Sequence, residues 1–228
     1  MYNCNKILGL IPARAGSKRL PNKNTLNMHG RPMIAWSISA GLRSKYIDDV
    51  VVSSDSDSIL NISKKYGAKS FKRPLKYAMD NSSSEDVILN AIKELKINYN
   101  HTVFLQPTSP LRTSKDIDNA IELLFQKKAK SVISVNLLKE NVMLKGKNHG
   151  NLSLVEIGKA NKNKSNIYYN INGAIYFFCN KFFFKSKKLY SLRNTYGYVM
   201  EKHKSIDVDD YYDFMIAETL MKFSLKKT

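Results

Sequence analysis

Residues 7–24 read ILGLIPARAGSKRLPNKN and join a short apolar run to a dense basic loop. The apolar residues 7–11 predict a buried strand, because such short runs bounded by a turn residue are typical of strands inside an α/β sheet. The loop follows directly, which places it at the carboxyl end of that strand, where open α/β sheets bind ligands. This stretch therefore favours an α/β fold with a ligand site at the end of its first strand.

The composition of the loop is that of a phosphate-binding segment. It carries four cationic side chains, Arg14, Lys18, Arg19 and Lys23. Gly16 lets the backbone approach a ligand closely, and Ser17 adds a hydroxyl donor. The spacing matches neither a Walker A motif nor the dinucleotide-binding fingerprint. We expect the cations to neutralise a polyphosphate, and the alternative is a solvated basic loop.

Short apolar runs alternate with helical patterns along much of the chain, which is typical of βαβ units and a mostly parallel sheet. Strands are predicted at residues 7–11, 50–52, 68–71, 102–105, 131–135, 173–178 and 196–200. Helices are predicted at residues 33–42, 57–66, 85–95, 115–126 and 211–223. In the first helix, the face predicted to be buried holds Met33, Ile34, Trp36, Ile38 and Leu42. The predicted N-caps are Asp55 or Ser56 for the second helix and Ser114 for the fourth.

Length and composition fit a single domain over residues 1–228, since the chain can hold one α/β core but not two ordinary ones. Hydrophobic residues make up 43% of the chain, and no apolar run approaches the ~20 residues that span a bilayer. The run at residues 7–11 is shorter than the core of a signal peptide. Cys4 and Cys179 are far apart, and reduced thiols are the simplest interpretation. We expect a cytoplasmic protein.

The formal net charge of +18 leaves three interpretations open. Lysine and arginine neutralise phosphates in nucleic-acid-binding proteins. They also steer anionic small substrates, and a lysine-rich proteome would produce the same excess. No RNP-like aromatic signature, zinc-finger spacing or basic heptad region is present. We therefore expect neither a nucleic acid nor a membrane as a partner.

Residues 139–171 depart from the alternating pattern. They are rich in Lys, Asn and Gly and contain no long periodic run. A structureless loop of roughly 30 residues inside a compact domain is improbable. We interpret this segment as an arm of short strands that packs on another subunit.

Asp207 and Asp209 precede the last predicted helix and are separated by one residue. In an extended segment, residues i and i+2 project to the same face, and two carboxylates on one face suit Mg²⁺. The alternative is that these acids only favour the N-terminus of the helix. Asp210 is expected to point away, and Asp213 to lie on the helix.

Five blocks of sequence, in this order, resemble the CMP-N-acetylneuraminic acid synthetases (acylneuraminate cytidylyltransferases). They are residues 11–24, 73–74 together with 80–84, 106–112, 172–176 and 205–209. The resemblance implies a Rossmann-like nucleotidyltransferase fold, a three-layer sandwich with a mostly parallel sheet. It also identifies residues 139–171 as an inserted dimerisation segment and so implies a homodimer.

The resemblance further implies roles for individual residues. Arg14, Lys18 and Lys23 are implied to neutralise the triphosphate and to be the catalytic cations. The other implied nucleotide-binding residues are Ala13, Ser17, Asn24, Arg73, Ser82 and Ser84. The implied sugar-binding residues are Gln106, Thr108, Lys162, Asn172 and Tyr176. Arg112 has two equal interpretations, a site residue or a structural residue that bonds loop carbonyls, and Arg73 has the alternative of a surface residue before Pro74.

The implied reaction joins CTP and N-acylneuraminate (sialic acid) to give CMP-N-acylneuraminate and diphosphate, with Mg²⁺ or Mn²⁺ on Asp207 and Asp209. The sequence departs from the family where many members carry a Pro-Arg-Gln stretch, since residues 161–166 read NKNKSN. Lysine supplies charge there but lacks the planar fork of arginine. Legionaminic acid, pseudaminic acid and deoxyoctulosonate therefore remain alternative substrates.

Overall fold

The structure is a computed structural model that describes residues 5–137, 142–147, 151–156, 168–191 and 193–225. The strands are β1 (Ile7–Pro12), β2 (Asn27–Met28), β3 (Arg31–Pro32), β4 (Asp49–Ser54), β5 (Lys69–Lys72), β6 (His101–Leu105), β7 (Ser131–Leu137), β8 (Val142–Lys147), β9 (Asn151–Glu156), β10 (Tyr169–Cys179) and β11 (Thr195–Val199). The α-helices are α1 (Met33–Leu42), α2 (Asp57–Lys65), α3 (Ser84–Glu94), α4 (Ser114–Gln126), α5 (Asn180–Ser186) and α6 (Tyr211–Leu225).

Seven of the described strands form one sheet in the order β11-β7-β10-β6-β1-β4-β5. Every pairing in it is parallel except the two made by β10. The carboxyl ends of six strands therefore share one edge with the amino end of β10. This confirms the α/β fold and the mostly parallel sheet predicted from the sequence.

Helices cover both faces of the sheet, which explains why its strands are apolar on both sides. In β1, Ile7 and Ile11 belong to a core cluster with residues of α1, α2 and α4. Leu8 and Leu10 belong to a second cluster with residues of α3 and α5. The result is the three-layer sandwich that the family resemblance implies.

A third apolar cluster fixes the last helix beside the basic loop. Phe214 and Met221 of α6 pack with Met28 of β2 and Leu20 of the loop. Val208, just before α6, is fully buried in the same cluster. This packing brings residues 205–210 against residues 14–24, although the two segments are nearly the whole chain apart.

Two details of the sequence prediction were wrong. The N-cap of α4 is Thr113, not Ser114: the Thr113 hydroxyl accepts from the Asp116 backbone and the Asp116 carboxylate accepts from the Thr113 backbone, which is a capping box. Leu42, placed on the buried face of α1, is 46% exposed because it lies in the last turn of the helix. For α2, Ser56 is the N-cap.

The arm is described only in part. Its strands β8 and β9 pair with each other as an antiparallel hairpin, which confirms short strands within the segment. Cys179 is a free thiol, whereas Cys4 and Lys162 lie outside the described residues. Within the ranges described, no helix is long and apolar enough to span a bilayer.

Candidate functional site

A cavity of about 490 Å³ lies at the carboxyl edge of the sheet. It brings together most of the residues assigned from the sequence to nucleotide binding, both aspartates assigned to the metal, and two of the residues assigned to sugar binding. The predicted residues that line it are Arg14, Ser17, Lys18, Lys23, Asn24, Arg73, Ser82, Ser84, Gln106, Thr108, Asp207 and Asp209. Ala13 is fully buried at the end of β1, where its backbone N–H donates to the Ser53 carbonyl at 2.9 Å.

A second cavity of about 430 Å³ adjoins the first, and Gln106 and Asp207 line both. Asn172 and Tyr176, two predicted sugar-binding residues, also line it. The sequence reasoning missed three further polar residues in its wall, Asn136, Asn170 and Ser205. Asn136 had a usable signal, because it follows the apolar part of β7 at the carboxyl edge of the sheet.

Asp80 holds two of the four loop cations. Its Oδ1 accepts a hydrogen bond from Arg14 Nη1, and its Oδ2 lies 2.6 Å from Lys18 Nζ. The hydrogen bond from Lys18, and next the one from Arg14, lower the pKa of the Asp80 carboxyl to about 2. Asp80 also lines the first cavity, yet the sequence reasoning gave it no role.

Asp209 holds the other two loop cations. Arg19 Nη2 lies 2.9 Å and Lys23 Nζ 3.3 Å from its two carboxylate oxygens. Lys23 also donates to the Val208 carbonyl at 2.6 Å, and its side chain is only 12% exposed. The basic loop is therefore bonded directly to Asp209, one of the two aspartates, Asp207 and Asp209, that we call the acid pair.

The backbone of the loop is held by neutral and acidic groups behind it. Asn24 Nδ2 donates to the Arg14 carbonyl at 3.0 Å, and the Ala15 N–H donates to Asp55 Oδ1 at 3.0 Å. Asn24 Oδ1 is buried at the cavity wall and has no hydrogen-bond partner among the described residues. Asn24 thus holds the backbone at Arg14.

Arg73 is a buried cation, not a surface residue. It is 4% exposed, and its Nη2 donates to the Ser53 carbonyl at 2.5 Å while Nη1 donates to the Tyr77 carbonyl at 3.4 Å. Burial lowers its pKa to about 10, so it stays charged at neutral pH. Its Nε is buried without a hydrogen-bond partner among the described groups, and the residue lines the first cavity.

Arg112 is structural. Its Nη1 donates to the carbonyls of Gln106 at 3.1 Å and Ala174 at 2.9 Å, and it lines neither cavity at this edge. These bonds tie the loop after β6 to β10. Of the two interpretations left open by the sequence, the one in which Arg112 bonds loop carbonyls is confirmed.

Both polar groups of the Asn172 side chain form hydrogen bonds within the protein. Its Oδ1 accepts from Ser134 Oγ at 2.5 Å and from the Ala174 N–H, and its Nδ2 donates to Ser205 Oγ at 2.9 Å. The register of β10 shifts just beyond it, and Gly173 adopts a φ of +76° there, which favours glycine. A Cβ on Gly173 would lie 3.6 Å from the Gln106 amide. Asn172 therefore shapes the cavity wall with its bonds already satisfied.

The acidic segment before α6 divides into two functions. Asp210 Oδ1 accepts from the N–H groups of Tyr212 and Asp213, and Asp213 accepts from the N–H of Asp209. Asp210 and Asp213 thus satisfy the N-terminus of the helix. Asp207 and Asp209 are left to face the cavity, so the helix-capping alternative does not account for them.

The pKa of the Asp207 carboxyl is raised. Burial raises its pKa, a hydrogen bond from Thr108 opposes that shift, and the nearby Asp209 charge adds to it. A cation placed between this carboxylate and Asp209 would stabilise its charged form.

The donor set fits a divalent metal held jointly with a substrate. Among the described residues, no group of three or more His, Cys, Asp or Glu side chains is placed to hold a metal ion. Mg²⁺ is commonly held by one or two carboxylates, with substrate phosphates and waters as the remaining ligands. Two aspartates at the wall of a basic cavity meet that requirement.

These features define a nucleotidyltransferase type of fold and site. The same fold is seen in a solved CMP:2-keto-3-deoxy-manno-octonic acid synthetase complexed with CTP, with a TM-score of 0.74 over 96% of this chain and 99% of that chain. Sequence identity to it is 17%, so this likeness shows the fold alone. The model of the cytidylyltransferase family matches residues 8–225, and the chain belongs to that family.

Two curated relatives are similar over nearly all of this chain. An N-acylneuraminate cytidylyltransferase of Escherichia coli O18:K1:H7 is 35% identical over 95% of the chain, and a CMP-N,N'-diacetyllegionaminic acid synthase of Legionella pneumophila is 34% identical over 96%. The chain spans 52% of the length of the first relative and 97% of the second. The two identities are nearly equal, so similarity does not select one sugar.

Proposed function

We propose that this protein transfers a cytidylyl group from CTP to an acidic nine-carbon sugar, with N-acylneuraminate as the leading substrate, and releases diphosphate. One observation carries the proposal: the basic loop and the acid pair meet over one cavity, where Lys23 Nζ lies 3.3 Å from Asp209 Oδ1. A second, amide-lined cavity opens beside Asp207 and Gln106. One cavity suits a nucleoside triphosphate and the other a polar sugar.

In this reaction the anomeric hydroxyl of the sugar attacks the α-phosphorus of CTP. A new bond forms between the anomeric oxygen and that phosphorus, the bond from the α-phosphorus to the bridging oxygen breaks, and diphosphate leaves with the electron pair. The hydroxyl proton is released to solvent. Such transfers require mainly positioning and charge neutralisation, which Arg14, Lys18 and Lys23 supply.

The acid pair is proposed to hold Mg²⁺ or Mn²⁺. When bound, the metal would polarise the phosphate oxygens and lower the pKa of the attacking hydroxyl. Asp207 and Asp209 supply the carboxylates. Arg19 and Lys23 form ion pairs with Asp209 and offset part of its charge.

Every candidate sugar carries a carboxylate, whose charge the protein must neutralise. No lysine or arginine is among the described residues that line the second cavity. We propose Lys162 for this role, with Lys164 or an arginine from elsewhere as the alternatives. A second acid sugar, N,N'-diacetyllegionaminate, is the next candidate because the relative with that activity is 34% identical.

A homodimer through residues 139–171 is part of the proposal. Leu137, Tyr169 and Ile171 stand at the root of this arm, and each exposes between 44% and 48% of its surface. An apolar surface of this kind is typical of an interaction site. Sedimentation equilibrium should give twice the mass of the chain, and an active monomer would contradict the dimer.

The function is tested by diphosphate release from CTP in the presence of N-acylneuraminate and Mg²⁺. We expect the wild type to be active and the Arg14→Ala variant to lose essentially all turnover with an unchanged circular dichroism spectrum. Arg43→Ala, at an exposed arginine outside both cavities, serves as the control. Near-normal turnover in Arg14→Ala would remove the loop from the reaction.

A further inference from the structure

We propose that Asp80 is a built-in competitor of the phosphate chain: its carboxylate occupies Arg14 and Lys18 until a polyphosphate displaces it. This inference rests on the proposed function, because it takes the loop to be the phosphate-binding element. Asp80 would then weaken the binding of CTP and diphosphate below what the loop cations alone would give. Its benefit is the faster release of diphosphate.

The geometry places the carboxylate where a phosphate oxyanion is needed. Oδ1 of Asp80 accepts from Arg14, and Oδ2 lies 2.6 Å from Lys18. The two cations are therefore bridged by one anionic group with two oxygens, as they would be by a phosphate. Asp80 itself lines the cavity together with both cations, so a ligand that contacts these cations from the cavity meets the same carboxylate.

A purely organising role for Asp80 is less well supported, because other residues already hold the loop. Asn24 bonds the Arg14 carbonyl and Asp55 bonds the Ala15 N–H, each at 3.0 Å. Asp80 makes its bonds to the charged ends of the side chains instead. Those ends are the groups that a phosphate must reach.

The segment that carries Asp80 can move away from the two cations with only a small loss of free energy. Asp80 occupies a turn closed by the hydrogen bond from the Ser82 N–H to the Met79 carbonyl at 3.1 Å. Its side chain is 49% exposed, and that of Lys18 is 82% exposed. Ion pairs this exposed are weak and screened by salt, so a ligand with several negative charges displaces the carboxylate readily.

The size of the change in affinity follows from the fraction of molecules in which Arg14 and Lys18 are not bonded to Asp80. A ligand that needs a state populated at fraction f binds with an apparent dissociation constant raised by 1/f. For exposed pairs, removal of the competitor should tighten binding roughly three- to tenfold. Ligands that do not reach Arg14 and Lys18 should change little.

The test compares the wild type with Asp80→Asn by calorimetric titration of CTP, diphosphate and CMP without sugar. We expect the dissociation constants of CTP and diphosphate to fall about three- to tenfold and that of CMP to change less than twofold. In turnover, the KM for CTP should fall and inhibition by diphosphate should strengthen. Asp80→Glu keeps the charge and should resemble the wild type, whereas Asp57→Asn breaks an exposed ion pair with Lys72 outside the cavity and should have no effect.

Unchanged or weaker binding of CTP and diphosphate by Asp80→Asn would overturn the inference and assign Asp80 to organising the loop. Arg14→Ala separates this from a failure of the proposed function. If Arg14→Ala weakens CTP binding while Asp80→Asn does not strengthen it, only the competitor role is wrong. If the wild type binds no CTP, or Arg14→Ala binds it normally, both proposals are wrong.

Discussion

Lys23 Nζ lies 2.6 Å from the Val208 carbonyl and 3.3 Å from Asp209 Oδ1, which joins the loop after β1 to the segment before α6. The contact is half-buried, and the apolar cluster around Val208 and Leu20 holds the two segments together. One lysine therefore sets the distance between the proposed phosphate site and the proposed metal site.

Replacement of Lys23 by methionine should lower kcat/KM for CTP about 100-fold or more, because a preorganised donor at a reacting phosphate is lost. The free energy of unfolding should fall by only about 1 kcal/mol, since the aliphatic stem is retained. Steady-state kinetics and urea titration measure the two effects. Lys72→Met, which removes an exposed ion pair, should alter neither, and an active Lys23→Met enzyme would exclude the lysine from the reaction.

Two variants should distinguish Asp209, proposed to bind the metal, from Asp210, which caps α6, by their Mg²⁺ dependence. Asp209→Asn should raise the Mg²⁺ concentration for half-maximal activity at least tenfold, because one carboxylate ligand is lost. Asp210→Asn should leave that concentration unchanged, and asparagine can still cap the helix. Mg²⁺ titrations of turnover give the comparison, and equal Mg²⁺ dependence in the two variants would contradict the assignment of Asp209 to the metal.

Arg112 should matter for stability. Arg112→Met leaves the carbonyls of Gln106 and Ala174 without their buried donor, and we expect a loss of about 3 kcal/mol in the free energy of unfolding. Arg112→Lys should not restore it, since lysine lacks the planar fork. Urea titration with Arg43→Met as an exposed control measures this, and a loss below about 1 kcal/mol would contradict the structural role.

His101 should make the protein sensitive to acid. It is buried against Phe125 and Phe177, and burial lowers its pKa to about 4. Between pH 6.5 and about 4 the unfolded chain binds a proton that the native protein excludes, so stability is complete above pH 6.5 and falls by up to about 1.4 kcal/mol per pH unit below it. Unfolding of His101→Phe at several pH values should lack this slope, and the exposed His203→Gln should keep it.

The sequence predicted the core of the fold because its strands have a clear signal. Residues 7–11, 50–52 and 102–105 are apolar runs buried on both faces, and turn or polar residues follow each run. Helix α5 went unpredicted, since seven residues with three phenylalanines show no helical period. The start of β10 at Tyr169 went unpredicted as well, because its polar first residues resemble a loop.

The site was predictable where one segment carries the signal and unpredictable where two distant segments meet. The density of cations in residues 14–23 showed the loop, and the spacing of Asp207 and Asp209 showed the acid pair. The ion pairs of Asp80 with Arg14 and Lys18 depend on packing between segments 66 positions apart, which no local pattern encodes. The same holds for Asn170, which reaches the second cavity only because β10 is antiparallel.

The central claim is the joining of cytidine monophosphate to an acid sugar, and product analysis tests it most directly. The protein is incubated with Mg²⁺, one of CTP, UTP, ATP or GTP, and one of N-acylneuraminate, N,N'-diacetyllegionaminate, pseudaminate or deoxyoctulosonate, and products are identified by mass spectrometry. We predict equimolar CMP-sugar and diphosphate with CTP alone among the nucleotides, and the highest yield with N-acylneuraminate. Absence of a CMP-linked sugar from every acid sugar, or an equal yield with a purine triphosphate, would contradict the account.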